Sequence, residues 1–229
     1  MKEAARDIKI PSGSAILEGE LNIPDGAESV VLFAHGSGSS RHSPRNQFVA
    51  RTIREAAVGT LLFDLLTPEE EAVDIHTRHL RFDIGLLAER LVDATNWIKR
   101  QSETTNLGIG YFGSSTGGGA ALVAAAELGE EIGAVVSRGG RPDLAGAALP
   151  QVTGPTLLIV GGFDYAVIEM NKEAYAQLRC EKEMKIVPGA THLFEEPGTL
   201  EKVAHLAAEW FQRYLHSEKP ARKSAAMSS

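Results

Sequence analysis

The sequence has almost no cysteine and no long apolar run. Cys180 is the single cysteine among 229 residues, so no disulfide can form within the chain, and we expect this side chain to pack at a helix end. The apolar core of a signal peptide is missing, and so is an uninterrupted apolar span of membrane length. These absences predict a soluble, cytoplasmic protein that has no membrane partner.

Positive charge is also scarce. Lys and Arg number 23 against 30 Asp and Glu, which gives a formal net charge of -7 at pH 7. Nucleic acids and membrane surfaces are anionic, so this excess would repel both. No basic stripe with interleaved aromatic residues offsets it. The charge therefore argues against both partners. We expect a small-molecule ester substrate and a monomer or a small homo-oligomer.

The length and composition fit one large α/β domain. With 43% hydrophobic residues, 229 residues supply one core, whereas two full domains would leave too little core for each. We assign this domain to residues 1–216. Residues 217–229 are polar, and we expect them to form a flexible C-terminal tail.

Short apolar runs alternate with helical patterns along the chain, as a mostly parallel sheet requires. The runs are continuous rather than alternating and are rich in β-branched residues, which is typical of strands buried on both faces. They cover residues 30–34, 60–63, 107–112, 133–136, 156–160 and 184–187. The segment before them, up to about Ile23, is expected to form an antiparallel hairpin at the sheet edge.

Apolar residues at helical spacing predict amphipathic helices between these strands. One such stripe covers residues 80–98, and another covers residues 200–214. Ser43 and Thr67, each followed by proline, mark helix starts, and Glu70 is placed to complete a capping box with Thr67. Both stripes are interpreted as core faces rather than as cofactor sites.

A serine flanked by glycines directly follows the apolar run 107–112. Gly113, Ser115 and Gly117 form the pattern G-x-S-x-G at a predicted strand-to-helix connection. A sharp turn at this point strains the serine backbone and crowds its neighbours, so the positions two before and two after must be small. Such a turn exposes a serine nucleophile. We predict that Ser115 is this nucleophile; the alternative is an ordinary glycine-rich connection without chemistry.

Asp164 and His192 each follow a later predicted strand, and so fall on the sheet edge that carries Ser115. Their order along the chain is nucleophile, acid, histidine, which is one of the known orders for a serine triad. A serine hydroxyl is a poor nucleophile until a base takes its proton, and the base needs a carboxylate to fix its tautomer. We therefore assign Asp164 as the acid and His192 as the base.

Other side chains compete for these two roles. Asp143 follows the preceding strand and is the second choice for the acid, whereas Asp64 would break the chain order. Glu195 and Glu196 follow His192 so closely that we expect them to cap or bracket its loop. The remaining histidines that could act as the base are expected to be exposed or to pack: His42, His76, His79, His205 and His216.

A loop of small residues follows the first parallel strand and reads His35, then GSGSS. Small residues let backbone amides turn inward, and we expect the N–H groups of Ser37 and Thr116 to form an oxyanion hole. The alternative is a phosphate cradle. That alternative is disfavoured because the loop lacks the lysine of a P-loop and its helix begins only near Pro44.

Residues 108–113 read GIGYFG, which matches the dinucleotide-binding pattern G-x-G-x-x-G. In that fingerprint the glycines form the turn after a strand, whereas here the first two lie inside the apolar run. Tyr111 and Phe112 also stand where the backbone would have to approach a pyrophosphate. Nucleotide binding and a non-catalytic α/β interaction domain remain distant alternatives, and we expect neither a cofactor nor a metal.

Four arginines cluster near the predicted site. Arg138 and Arg141 bracket two glycines at a strand end, while Arg41 and Arg45 follow the small-residue loop. Arginines suit a substrate carboxylate, so Arg41, Arg138 and Arg141 are substrate-binding candidates. The alternative, which we favour, is that these arginines tie loops together through carboxylates such as Asp143.

Several stretches together resemble the dienelactone-hydrolase-like branch of the α/β-hydrolase superfamily. They read FAHGSGSSRHSPRN, LLFDLLTPEEE, GYFGSSTGG, VVSRGGRPDL, LLIVGGFD and GATHLFEEPG. The resemblance implies an α/β-hydrolase fold, with a mostly parallel central sheet and helices on both faces. It matches Ser115, Asp164 and His192 to the triad of the family, and Ser37 and Thr116 to its oxyanion hole. Some similar proteins are fused to a phosphoribosyltransferase-like domain, which we do not find in this sequence.

The sequence departs from dienelactone hydrolase proper at the nucleophile, because Ser115 stands where that enzyme has cysteine. This difference favours ordinary carboxylic esters over dienelactone. Many relatives insert a helical lid between the strands that correspond to Val136 and Pro155, but this segment has room for only a short connection and one helix. We therefore expect no lid domain and a carboxylesterase that cleaves small, short-chain esters with broad range through an acyl-enzyme. A lactone or dienelactone-type hydrolase is the alternative.

Overall fold

The computed structural model describes residues 5–215, which form an eight-stranded sheet with helices on both faces. The strands are β1 (Arg6–Ser12), β2 (Ala15–Asn22), β3 (Ser29–Ala34), β4 (Gly59–Phe63), β5 (Gly108–Ser114), β6 (Ile132–Arg138), β7 (Thr156–Gly161) and β8 (Lys182–Val187). Their order across the sheet is β1-β2-β4-β3-β5-β6-β7-β8. β3 to β8 are parallel, and β1 and β2 add an antiparallel hairpin at one edge. The predicted tail, residues 217–229, lies outside the described residues.

Six α-helices lie between or after the strands within the described part of the chain. They are α1 (Pro44–Glu55), α2 (Pro68–Thr77), α3 (Ile84–Arg100), α4 (Thr116–Leu128), α5 (Tyr165–Gln177) and α6 (Thr199–Tyr214). Helices α3, α4 and α5 pack on one face of the sheet around one apolar core, and α1 and α6 pack on the other face around a second core. This arrangement confirms the predicted mostly parallel sheet with helices on both faces. No helix of residues 5–215 combines the length and the apolar character needed to cross a bilayer.

The predicted elements agree with the structure in type and differ from it in detail. Each of the six apolar runs falls in a parallel strand, and the N-terminal hairpin is β1 and β2. The expectation that every run is buried on both faces is wrong for β8, whose Lys185 and Ile186 are exposed because β8 is an edge strand. Leu80 lies outside α3, in a separate 3₁₀ turn, because Asp83 caps α3 by accepting a hydrogen bond from the Leu86 N–H at 3.0 Å.

The glycines of the apparent dinucleotide pattern serve the packing of β5. Gly108 and Gly110 both lie in this strand, against the C-terminal end of the described chain. A Cβ added to Gly110 would lie 2.8 Å from Leu215 Cδ1 and 3.0 Å from the Phe211 ring. These glycines therefore admit apolar side chains close to the sheet and do not form a phosphate-binding turn.

The segment between β6 and β7 carries no lid domain. Its 3₁₀ segment, Pro142–Gln151, packs against α4 and α5.

Helix α2, after β4, begins with the predicted capping box: Thr67 Oγ1 accepts from the Glu70 N–H at 3.2 Å, and Glu70 Oε2 accepts from the Thr67 N–H at 2.8 Å. Arg90 from α3 then binds both oxygens of Glu70 and fixes α2 against the body of the domain.

His35 fastens together two loops at the carboxyl ends of the strands. Its Nε2 accepts a hydrogen bond from the Leu65 N–H at 3.0 Å, and its Nδ1, protonated in that tautomer, donates to the Gly36 carbonyl oxygen at 3.0 Å. Burial lowers the pKa of His35 below its ordinary value of 6.5. The neutral ring therefore joins the loop after β3 to the loop after β4.

Acid is expected to weaken this connection. Because the folded-state pKa of His35 lies below 6.5, the unfolded chain binds the proton first, and the free energy of unfolding falls as the pH drops below that value. Urea unfolding at about pH 7.5 and about pH 5 measures the decrease, which should be smaller in His35→Gln than in the wild type. His205→Gln, an exposed site on α6, should keep the wild-type decrease. Equal decreases in His35→Gln and the wild type would rule out His35 as the responsible group.

Candidate active site

Ser115 occupies the turn between β5 and α4 in a strained conformation. Its φ of 50° and ψ of -122° lie where side chains are strongly disfavoured. Gly113 and Gly117 make the turn possible, because a Cβ on Gly117 would lie 2.1 Å from the Ala34 carbonyl oxygen and one on Gly113 would lie 2.5 Å from the Gly117 carbonyl oxygen. The spacing of the glycines therefore reflects the close approach of β3, β5 and α4.

The backbone of Ser115 is held from the side of β6. Its N–H donates to the Arg138 carbonyl oxygen at 3.3 Å. Its carbonyl oxygen accepts from the Gly118 N–H at 3.0 Å and from the Arg141 N–H at 2.9 Å. These bonds offset part of the cost of the strained turn and fix the side chain at the N-terminus of α4, where the helix dipole favours negative charge.

Asp164 and His192 meet through a short hydrogen bond. Their loops follow β7 and β8, and His192 Nδ1 lies 2.6 Å from Asp164 Oδ2. Although Asp164 is the N-cap residue of α5, its side chain makes no cap hydrogen bond. Donation from Nδ1–H to the carboxylate leaves Nε2 with a free lone pair, which is the tautomer that a general base requires.

Ser115 and His192 line one cavity of about 820 Å³. Among the described residues the Ser115 hydroxyl has no hydrogen-bond partner, so it is not hydrogen-bonded to the imidazole. Such contacts are often long in ligand-free enzymes and tighten when substrate binds. The structure thus brings the three predicted residues to one place, with the Asp164–His192 bond formed and the Ser115–His192 bond open.

One wall of the cavity was not anticipated from the sequence. It comes from α2 and the turn that follows, and its lining residues are Glu71, Asp74, Ile75 and Arg81. Asp74 is 1% exposed and accepts hydrogen bonds from the Leu80 N–H at 2.8 Å and from Arg81 Nε. This buried carboxylate fixes the turn against α2. No sequence pattern signals it, because the contact depends on how α2 lies over the sheet.

Ser37 and Thr116, the predicted oxyanion-hole residues, are in contact. The Ser37 N–H donates to Thr116 Oγ1 at 3.0 Å. This amide, predicted to be an oxyanion donor, is therefore occupied by a side-chain hydroxyl. The Thr116 N–H belongs to the first turn of α4, where backbone donors have no acceptor within the helix.

Two of the candidate substrate-binding arginines lie away from the cavity lining. Arg41 binds Asp64 through both its backbone N–H, at 2.7 Å, and its guanidinium, and it also reaches Glu18 at 2.8 Å. Arg141 forms a two-point ion pair with Asp143 at 2.9 and 2.7 Å, which raises the pKa of Arg141. Both arginines tie loops together in this structure. Asp143, the second choice for the acid, is occupied by that ion pair.

Arg138 is different, because it lines the cavity and is 6% exposed. Its Nη2 donates to Ser114 Oγ at 3.1 Å, and its guanidinium carbon lies 5.7 Å from the centre of the Phe194 ring. Burial, with a smaller contribution from the neighbouring charge of Arg45, lowers the pKa of Arg138 to about 10. The side chain is therefore a buried cation at neutral pH.

The loop that carries His192 is braced on both sides. Glu196 accepts hydrogen bonds from the Thr191 N–H at 3.0 Å and the Thr191 hydroxyl at 2.6 Å, which lower the pKa of Glu196. Glu195 pairs with Arg45 of α1 at 3.2 Å. Phe194, directly before Glu195, takes a left-handed φ of 56° and buries its ring. Both glutamates thus bracket the loop, as expected.

Comparison with known proteins identifies the family of this chain. The model of the Dienelactone hydrolase family matches residues 54–217. A dienelactone hydrolase from Anabaena variabilis, whose crystal structure is known, is 59% identical in sequence to this chain. The two structures have a TM-score of 0.93, and the match covers 94% of this chain and 100% of that one. Est1E from Butyrivibrio proteoclasticus has a TM-score of 0.75 over 90% of this chain and 98% of its own; at 17% identity, this likeness concerns the fold alone.

Two curated relatives from Mycobacterium tuberculosis, strains CDC 1551 and H37Rv, are 54% identical over 209 residues. Both carry the provisional name phosphoribosyl transferase. The match covers 91% of this chain but 46% of each relative, so the chain spans about half of their length. The family model covers most of the sequence, and the sheet order and helix layers agree with the fold of the related dienelactone hydrolase. The chain therefore belongs to the dienelactone hydrolase family of the α/β-hydrolase superfamily.

Proposed function

We propose that this protein is a serine hydrolase that cleaves small, short-chain carboxylic esters through an acyl-enzyme intermediate. The observation that carries the proposal is the 2.6 Å bond between His192 and Asp164 beside the strained Ser115, at one cavity. Membership of a hydrolase family supports it. So does the position of all three residues at the carboxyl ends of parallel strands, where ligands bind in open α/β sheets.

In the first step His192 acts as the general base. Asp164 accepts a hydrogen bond from Nδ1–H, which keeps the proton on Nδ1 and the Nε2 lone pair available. As Ser115 Oγ attacks the carbonyl carbon of the ester, Nε2 takes the hydroxyl proton, and the Asp164 carboxylate stabilises the imidazolium that forms. The carbonyl π electrons move to the oxygen and give a tetrahedral oxyanion.

The oxyanion is stabilised by the backbone N–H groups of Thr116 and Ser37. For Ser37 this requires an exchange of partner, because its amide donates to the Thr116 hydroxyl in the structure. The tetrahedral intermediate then collapses, and the imidazolium gives its Nε2 proton to the leaving alcohol. Water, deprotonated by His192, attacks the acyl-enzyme, and the acid is released as Ser115 regains its proton.

The cavity supports small substrates with loose selectivity. Its volume of about 820 Å³ is within the usual range for small-molecule sites, and the segment between β6 and β7 does not cover it. Lactones are the second candidate substrate, because the same steps open a cyclic ester while the alcohol stays attached to the acyl group. The name of the family, dienelactone hydrolase, also favours a lactone. A screen of acyl-chain lengths against lactones of matched size, with Ser115→Ala as the blank, distinguishes the two.

We infer that the transferase name of the M. tuberculosis relatives concerns the part of them that this chain does not span. The loop after β3 has no lysine for a phosphate, and the glycines of residues 108–113 lie in β5 rather than in a phosphate-binding turn. Both observations support a hydrolase role for the matched part.

A fluorophosphonate probe is expected to label Ser115 covalently, because it reacts with activated serine hydroxyls. Peptide mapping by mass spectrometry should find the modification on Ser115 and not on the adjacent Ser114, and Ser115→Ala should remain unlabelled. A wild type that stays unlabelled under conditions where a control esterase reacts would refute the nucleophile assignment.

Replacing the two candidate acids separates their roles. Asp164→Asn should lower kcat on p-nitrophenyl acetate by about 10⁴-fold, because the amide favours the wrong imidazole tautomer. Asp143→Asn, the matched control, should change kcat by less than about tenfold, since it removes only a partly exposed ion pair with Arg141. The assignment is wrong if Asp143→Asn is the more damaging change.

A further inference from the structure

Helix α2 presents an exposed apolar side chain to the cavity. Ile75 lines the cavity and is 63% exposed, although isoleucine is among the residue types most often buried. Glu71, Asp74 and Ile75 all line the cavity, and their spacing of i, i+3 and i+4 places them on one face of α2. Ile75 therefore lies on the helix face that is turned to the cavity, with most of its surface uncovered by the described chain.

The wall around Ile75 is apolar as well. Asp74 and Arg81, which belong to it, neutralise each other in an ion pair, and the side chain of Glu71 is exposed to solvent. Three buried leucines from the segment that runs from the end of β4 into α3 also line the cavity: Leu65, Leu66 and Leu87. A ligand that lies along this wall would therefore meet buried leucines and then the exposed Ile75.

The sheet order places this wall and His192 on opposite sides of the nucleophile. Ser115 follows β5, the α2 wall follows β4, and His192 follows β8. In the order β4-β3-β5-β6-β7-β8, β4 and β8 lie on opposite sides of β5. Because His192 must give its Nε2 proton to the leaving alcohol, the alcohol part of an ester lies beside His192. The acyl part is then directed to the α2 wall.

We propose that Ile75 and the three leucines bind the acyl chain, so that the preferred substrates are neutral esters of linear aliphatic acids, butanoate to hexanoate, rather than acetates. This inference rests on the proposed esterase function and names its acyl specificity. Ile75 is the specificity-determining residue, because it is the apolar side chain of this wall with the most surface left to bury. Burial of that surface against the acyl chain removes apolar area of both from water.

A series of p-nitrophenyl esters tests this preference, because acetate, butanoate and hexanoate share one leaving group. Full burial of one methylene is worth about a fourfold increase in kcat/KM, and contact on one side is worth about twofold. After division by the rate constant for hydroxide-catalysed hydrolysis of each ester, hexanoate should exceed acetate at least about tenfold. A ratio that does not exceed one contradicts the proposal, while turnover of the acetate leaves the esterase function intact.

Substitution then assigns the preference to Ile75. Ile75→Ser should lower the hexanoate-to-acetate ratio at least about threefold, whereas Ile75→Leu, which keeps the apolar surface, should retain it within about twofold. Val73→Ser is the matched control, because Val73 is 54% exposed on the same helix and does not line the cavity. An unchanged ratio in Ile75→Ser, or an equal loss in Val73→Ser, overturns the assignment.

A second series tests which part of the ester meets the α2 wall. Ethyl and hexyl acetate keep the acyl group constant and lengthen the alcohol, and their cleavage is followed by titration of the released acid at constant pH. Leu193, which lines the cavity beside His192, is the apolar contact available to the alcohol. The dependence on alcohol length should be shallower than the dependence on acyl length and unchanged in Ile75→Ser. A steeper alcohol series that Ile75→Ser abolishes would overturn the placement of the acyl chain.

A binding measurement keeps the acyl subsite testable without turnover. In the Ser115→Ala protein, titration followed by ligand NMR should show at least about fivefold tighter binding of methyl hexanoate than of methyl acetate. Adding Ile75→Ser to this protein should reduce the difference. If the wild type cleaves no ester, the proposed function fails and this titration alone decides on the subsite. Equal affinities for the two esters would refute it.

Discussion

The close approach of three backbone segments around Ser115 is the constraint on which the rest of the site depends. β3, β5 and α4 come so near to each other that a Cβ on Gly117 would overlap the Ala34 carbonyl oxygen, and Ser115 itself must take a strained backbone conformation. The strained turn is held in place by backbone hydrogen bonds, which the Ser115 N–H donates to Arg138 and the Ser115 carbonyl oxygen accepts from Arg141. The same turn therefore fixes the position of the serine hydroxyl, starts α4 beneath it and connects it to the wall where Arg138 lies.

The loops around this turn are fixed by ion pairs and by hydrogen bonds of titratable side chains. His35 is buried in its neutral form, and Arg41, Arg81 and Arg141 are each paired with a carboxylate. These contacts order the loops without leaving free charge in them. Arg138 is buried at the cavity and forms no ion pair within residues 5–215.

Much of the fold and of the candidate site follows from local sequence patterns. Apolar runs predict the parallel strands because burial on both faces excludes polar residues, and the positions of Asp164 and His192 follow because both come directly after such strands. To predict that these two side chains pair at 2.6 Å, the sheet order must also be known, because it places β7 beside β8. The wall formed by α2, and the Thr116 hydroxyl that occupies the Ser37 amide, were not predictable. Both depend on how loops distant in sequence meet, and no spacing rule describes that meeting.

The central claim is that Ser115 carries the acyl group during turnover. Its most direct test is intact-protein mass spectrometry of the wild type, mixed with excess p-nitrophenyl acetate and quenched in acid within the first turnover. The account predicts an adduct of one acetyl group per chain that maps to Ser115, accompanies a burst of p-nitrophenol and is absent from Ser115→Ala. Sustained release of p-nitrophenol with no acetyl group on Ser115 would contradict it.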